Sequence, residues 1–198
     1  GDCGTLREVL KHPDVEIAYQ IDIDEQVTRM AEKYFPELCE SNQDPRANIL
    51  FADGIDWIKQ RPAGSLDVII IDSTDPVGPA EGLFAVDFYR DCIRALADNG
   101  VVVQQSESPL YHSDSIIKQI HLDMSTAGAS SSHTFPFPQV IYPSGWWSCT
   151  LACKGGDASA FRIEDAASKV FTTQYYNAEI HAAALALPEF MKRSLQLD

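Results

Sequence analysis

Apolar and polar positions along this chain switch repeatedly between a helical and an extended period. TLREVLKH (5–12) predicts a short helix stopped by Pro13, and DEQVTRMAEKYF (24–35) an amphipathic helix that ends before Pro36. Between them VEIAYQI (15–21) predicts a strand. ANILFA (47–52) predicts the next strand and GIDWIKQ (54–60) the helix after it. LDVIII (66–71) is almost entirely apolar, the pattern of a strand covered by helices on both faces. VDFYRDCIRALA (86–97) predicts a helix closed by Asn99-Gly100 as a left-handed cap, followed by the strand VVVQQ (101–105) and the helix SDSIIKQIHLDMSTA (113–127).

The register then changes. Residues 130–145 and WWSCTLACK (146–154) predict two antiparallel strands around a proline-rich loop, before a last helical stretch (177–195) interrupted at Pro188. No internal repeat or low-complexity linker is visible. Alternating units of this kind predict an α/β fold with a doubly wound, Rossmann-like sheet and antiparallel C-terminal strands. Ligands of such sheets lie at the carboxyl ends of the strands.

Four acidic stations fall at those ends. Asp2 sits in the glycine turn GDCG, Asp22 follows the strand 15–21, Asp53 with Gly54 follows 47–52, and Asp72 and Asp75 follow 66–71. A glycine turn lets backbone approach a ligand, and an acid about 20 residues further on accepts hydrogen bonds from ribose hydroxyls. A phosphate would favour neutral glycine turns, so an acid inside the turn points to a nucleoside without phosphates. Asp53 is placed to take an adenine amino group. Asp22 has a second reading, as a cap for the helix beginning near Asp24.

Composition narrows the classes. With 198 residues and 45% hydrophobic content the chain has enough material for one domain with its own core. Its 29 acidic residues against 15 basic ones leave −14 charges, with no Lys/Arg run, which argues against nucleic acid as partner. Five scattered cysteines form no CxxC pair, which points to a reducing compartment rather than a disulfide scaffold. The histidines show no metal-ligand spacing, and His112 and His181 read as structural or exposed. No apolar run approaches the roughly 20 residues of a membrane span.

Read together, GDCGTLREVLKHP, DIDEQV, DPR, ADG, DSTDPVGPAEGLF, QSESP and YPSGWW resemble the polyamine aminopropyltransferase family of spermidine synthases, over Gly1 to about Phe190. The stretch from Asp72 to Glu81 is the most specific part. The resemblance implies a methyltransferase-like α/β catalytic domain, preceded in the family by a small β-rich domain and by a first sheet strand that would lie before GDCG. Residues 1–198 are then a single catalytic domain without those parts, and by themselves weakly active or inactive.

The resemblance also implies the chemistry: aminopropyl transfer from decarboxylated S-adenosylmethionine to putrescine, giving spermidine and methylthioadenosine. No metal or tightly bound cofactor takes part, and a cytoplasmic homodimer is expected. Asp2 would hold the aminopropyl amine, Asp22 the ribose, Asp53 and Gly54 the adenine region, and Pro79 would line the adenosyl site. Asp72 would accept the proton, Asp75 would grip the acceptor amine, and Gln105 and Tyr142 would line the polyamine side, with Glu107 a further candidate. In two places the chain departs from the family pattern: Asp22 stands where Glu is usual, and Cys3 replaces a turn glycine.

Other readings follow from the same residues. The segment Ser73 to Phe84 reads as a lid or as a rigid loop, and Trp146 and Trp147 as core aromatics. The competing functions are a small-amine methyltransferase using intact S-adenosylmethionine, and an inactive fragment of the enzyme.

Overall fold

The computed structural model describes residues 1–196, apart from the side chain of Pro79. Its elements are α1 (Gly4–Leu10), β1 (Ala18–Asp22), α2 (Glu25–Tyr34), β2 (Ala47–Phe51), α3 (Gly54–Lys59), β3 (Leu66–Ile71), α4 (Val86–Ala95), β4 (Leu96–Gln105), α5 (Pro109–His112), α6 (Lys118–Thr126), β5 (Ser131–Pro138), β6 (Trp146–Cys153), α7 (Ile163–Ser168), α8 (Ala178–Ala184) and α9 (Glu189–Leu195). They form two compact units, Gly1–Gln60 with Val170–Thr172, and Arg61–Lys169 with the stretch from Thr173 onward.

In the first unit β1 and β2 pair in parallel from Ala18↔Ala47 to Asp22↔Phe51. Leu6, Leu10 and Ala18 form its core, with Val9, Val15, Ala47 and Ile49 packed around them. The helix starts are set by short acids. Asp24 caps α2 by accepting from Gln26 N at 2.8 Å, and Asp53 caps α3 by accepting from Ile55 N at 2.8 Å. The first strand begins three residues later than its apolar pattern predicts.

The second unit holds a four-stranded sheet in the order β3-β4-β6-β5. β3 and β4 are parallel, and the other two pairs are antiparallel. This mixed sheet is the antiparallel C-terminal addition expected from the sequence. β5 is an edge strand, which is why it tolerates Pro136 and Pro138. α4 buries Phe88, Tyr89, Cys92 and Ile93 as one face.

Three sequence expectations need correction. Asn99-Gly100 does not cap α4: the chain turns extended at Leu96, which pairs with Leu66, and Gly100 lies within β4. Crowding favours glycine there, because a Cβ would stand 3.0 Å from the Ala97 carbonyl oxygen. β3 is not covered on both faces: Val68 and Ile70 are 56% and 42% exposed while Ile71 is buried, so alternate side chains face solvent. The helix placed at 113–127 begins at Pro109 instead and passes through a π turn at Ser113–Ile117.

A file of buried hydroxyls crosses this sheet. His121 on α6 bonds Ser132 through Nδ1 at 2.6 Å and Thr134 through Nε2 at 2.8 Å. Thr134 bonds Thr150 at 2.9 Å, Thr150 donates to Ser106 at 3.0 Å, and Ser106 meets Ser148 at 2.9 Å. Burial, reinforced by the His133 charge, pushes the His121 imidazole down to about 4, so it stays neutral in this role. Replacing Thr150 by valine keeps the shape and removes one buried hydrogen bond each from Thr134 and Ser106. A loss of about 2 kcal/mol in unfolding free energy is expected, read from the urea midpoint.

Candidate active site

The three acids of the first unit share one local device. Each sits just beyond a strand or in a turn, and each spends one carboxylate oxygen on a backbone N–H two residues on. Asp2 Oδ1 accepts from Gly4 N at 2.9 Å, Asp22 Oδ1 from Asp24 N at 2.8 Å, and Asp53 Oδ1 from Ile55 N at 2.8 Å. Such turns fix the direction of the side chain. Asp22 is therefore not the α2 cap, which is Asp24.

The parallel register brings Asp22 and Asp53 to the same end of β1 and β2, where Ala52 N donates to Asp22 O at 2.9 Å. The Gly1–Asp2 turn lies against that end: Gly1 N is 3.0 Å from Asp22 Oδ2, and Thr28 Oγ1 donates to Gly1 O at 2.7 Å. Cys3, at φ 70°, holds the left-handed backbone normally left to glycine. Its buried thiol packs at 3.2 Å from Gln20 Nε2, so the departure from the family pattern keeps the turn's conformation. Asp2 also borders a groove of about 380 Å³ lined by Asp24, Gln26, Val27, Met30, Ala31 and Phe35. Asp22 and Asp53 do not line it.

A second group assembles at the carboxyl ends of β3 and β4. Ile71 pairs with Gln104, so Asp72 and Gln105 leave the sheet at the same end. Asp72 and Asp75 are exposed, and Pro76, Val77 and a 3₁₀ turn over Gly78–Phe84 follow. The Pro79 side chain lies outside the described residues. Gly78 takes φ 61°, and its N–H meets Glu81 Oε1 at 3.1 Å.

Gln105 is the hub. Its Oε1 accepts from Trp147 Nε1 at 2.9 Å and from Glu107 N at 3.2 Å, while its Nε2 reaches Glu107 Oε1 at 3.5 Å. Tyr142 stacks on Trp147 at 4.0 Å between ring centroids and 22° between planes. Trp147 is half-buried and hydrogen-bonded, not the core ring expected from sequence; its role as Gln105's donor appears only when β6 pairs with β4. Trp146 packs edge-on against Phe190 instead.

Glu107 is the residue that sequence reasoning undervalued. It is 3% exposed, yet its carboxyl faces Asp75 within hydrogen-bonding reach. Burial first, then the hydrogen bond and like charge of Asp75, push it up to about 7, partly opposed by the Gln105 amide. A positive φ of 69° at Glu107 was the one backbone sign of this, invisible in the sequence.

A family model described as the spermine/spermidine synthase domain matches residues 1–161. A polyamine aminopropyltransferase of Thioalkalivibrio sulfidiphilus is 62% identical over 195 residues, covering 98% of this chain and 69% of that protein. The chain belongs to the spermine/spermidine synthase family. Another family member, a polyamine aminopropyltransferase of Methylococcus capsulatus, is 61% identical over 196 residues, 99% of this chain and 68% of its own length. The family's fold is this chain's fold. Spermidine synthase from Thermotoga maritima superposes over the whole chain with a TM-score of 0.90 at 38% identity, covering 66% of that structure. A spermidine synthase in complex with the transition-state analogue AdoDATO does so with a TM-score of 0.92 at 38% identity, covering 67% of it. This spermine/spermidine synthase chain is thus an enzyme of the methyltransferase-like α/β class. Among the described residues, no His/Cys/Asp/Glu group could hold a metal ion, and no helix is long and apolar enough to cross a membrane.

Proposed function

We propose that this chain transfers the aminopropyl group of decarboxylated S-adenosylmethionine to putrescine, yielding spermidine and methylthioadenosine. The observation that carries this reading is the acid and aromatic cluster at the ends of β3 and β4 (Asp72, Asp75, Gln105, Tyr142), in a chain that superposes on a spermidine synthase bound to AdoDATO. In this reading Asp2 takes the aminopropyl ammonium, Asp22 the ribose, Asp53 with Gly54 the adenine, and Pro79 borders the adenosyl group. Asp75 grips the far ammonium of the diamine. Gln105 and Tyr142 line its path.

The reaction is a displacement. A neutral amine nitrogen attacks the methylene carbon beside the sulfonium, the carbon–sulfur bond breaks, and methylthioadenosine leaves with its electron pair. At neutral pH roughly one alkyl amine in a thousand is uncharged. Asp72 orients the attacking nitrogen and receives its proton as the new bond forms. Holding both reactants in line supplies more of the rate than base strength does. The segment from Ser73 to Phe84 closes over the reactants, with Gly78 and Gly82 as its bending points. We place the enzyme in the cytoplasm as a homodimer. The upstream β-rich domain and first strand belong to the same proposal.

Charge selects the cofactor. Intact S-adenosylmethionine carries a carboxylate beside the amine that Asp2 would hold, and the two anions repel. The decarboxylated form is therefore expected to raise the melting temperature more than the intact one, and Asp2→Asn to narrow that gap. Equal or reversed shifts would favour a methyltransferase instead.

A further inference from the structure

Glu107 does something that an acid lining a cationic site has no need to do. A carboxylate meant only to attract ammonium groups is best left solvated and ionised. Glu107 is instead buried, aimed at a second carboxylate, and built on a backbone that resists it. A non-glycine residue at φ 69° costs on the order of 1 kcal/mol or more, and persists only where its surroundings impose it.

Those surroundings are visible. Ser148 Oγ donates to Glu107 O at 2.9 Å and Gln105 Oε1 accepts from Glu107 N at 3.2 Å, so both backbone groups are clamped. Behind Ser148 stands the hydroxyl file that begins at His121. The carboxyl direction is thus fixed from β4 and β6. The loop after β3 contributes the charged group that faces it, Asp75. Tyr111 and His112 of α5 pack against each other and make no bond to Glu107. Among the described residues neither Glu107 nor Asp75 forms an ion pair with a Lys, Arg or His. Two carboxylates in such contact, with no cation between them, cannot both stay ionised at modest cost.

We propose that Glu107, facing Asp75, carries a proton in the ligand-free protein and releases it when an alkyl diammonium ligand binds. The step balances simply: the O–H bond of the Glu107 carboxyl breaks, its proton passes to solvent, and an ammonium takes its place beside the two carboxylates. This deepens the reading of the β3–β4 end as the diamine site and rests on it. Diamine affinity is then coupled to pH near neutrality. The diamine does not supply this coupling itself, because alkyl ammonium groups titrate near pH 10.

Isothermal titration calorimetry of the full-length protein with putrescine, in buffers of different ionisation enthalpy, counts the protons. Release of roughly one proton per chain at pH 6 and almost none at pH 8.5 is expected, with affinity falling about tenfold from pH 8 to pH 6. Glu107→Gln is expected to abolish both effects. A second measurement needs neither ligand nor variant: the carboxyl ¹³C resonance of Glu107 in the ligand-free protein should titrate near neutrality. A midpoint below pH 5 overturns the proton on Glu107. A normal Glu107 titration curve near pH 7 with diamine binding that releases no proton overturns the release step. Failure of putrescine to bind at any pH overturns the release step together with the diamine reading, and the resonance still judges the pair on its own.

Discussion

Asp72→Asn, which removes the proton acceptor proposed above, is expected to lower turnover by roughly 10²- to 10⁴-fold. The substitution is nearly isosteric and lies beyond β3, whose last pair is Ile71↔Gln104, so the sheet register survives it. Asparagine can still orient the attacking amine through its oxygen, but it cannot take the proton as the bond forms. The loss should therefore fall on the chemical step, while the Michaelis constant for the proposed decarboxylated co-substrate stays near its original value, since the acids assigned to that ligand precede α1, end β1 and cap α3. Release of methylthioadenosine under single-turnover conditions reads the step directly. Near-normal turnover in the variant would remove Asp72 from the role.

Glu107→Gln is expected to be progressively more stable relative to wild type as pH rises, by about 3 kcal/mol between pH 4.5 and pH 8. The sign follows from linkage. Glu107 is an acid whose folded pKa is raised to about 7 from 4.5, so between those values the folded state holds a proton that the unfolded state has lost. Stability therefore falls as pH rises through that window. His121 works in the opposite sense. Its folded value is depressed to about 4 from 6.5, so its contribution is present above pH 6.5 and lost as pH falls toward 4. The two slopes nearly cancel in the wild type, and only the difference between variant and wild type exposes Glu107. Urea unfolding of both proteins at pH 4.5, 6 and 8 measures it, and parallel curves would show that the carboxyl ionises normally.

Much of the fold is legible along the chain because its signals are local. Proline ends the first two helical patterns, and Asp24 and Asp53 cap helices where short acids precede apolar periods. The failures are instructive for the same reason. Asn99-Gly100 carries the composition of a helix cap, yet pairing of Leu96 with Leu66 draws the chain into β4 before the cap is reached. Three isoleucines imply a strand buried on both faces, while the sheet leaves Val68 and Ile70 in solvent. Composition states how apolar a segment is, but not how many of its faces are covered.

By itself, then, the sequence determined the order of elements and the placing of acids at strand ends, because turn chemistry and side-chain period act over a few residues. It also carried the family, through motifs spread along its whole length. Tertiary structure alone decided what those acids meet. Trp147 reaches Gln105 across a sequence separation of 42, and Glu107, just past β4, reaches Asp75, just past the parallel strand β3. A carboxyl's ionisation depends on burial and on the charge opposite it, and these are set by the β3–β4 and β4–β6 pairings rather than by sequence neighbours alone.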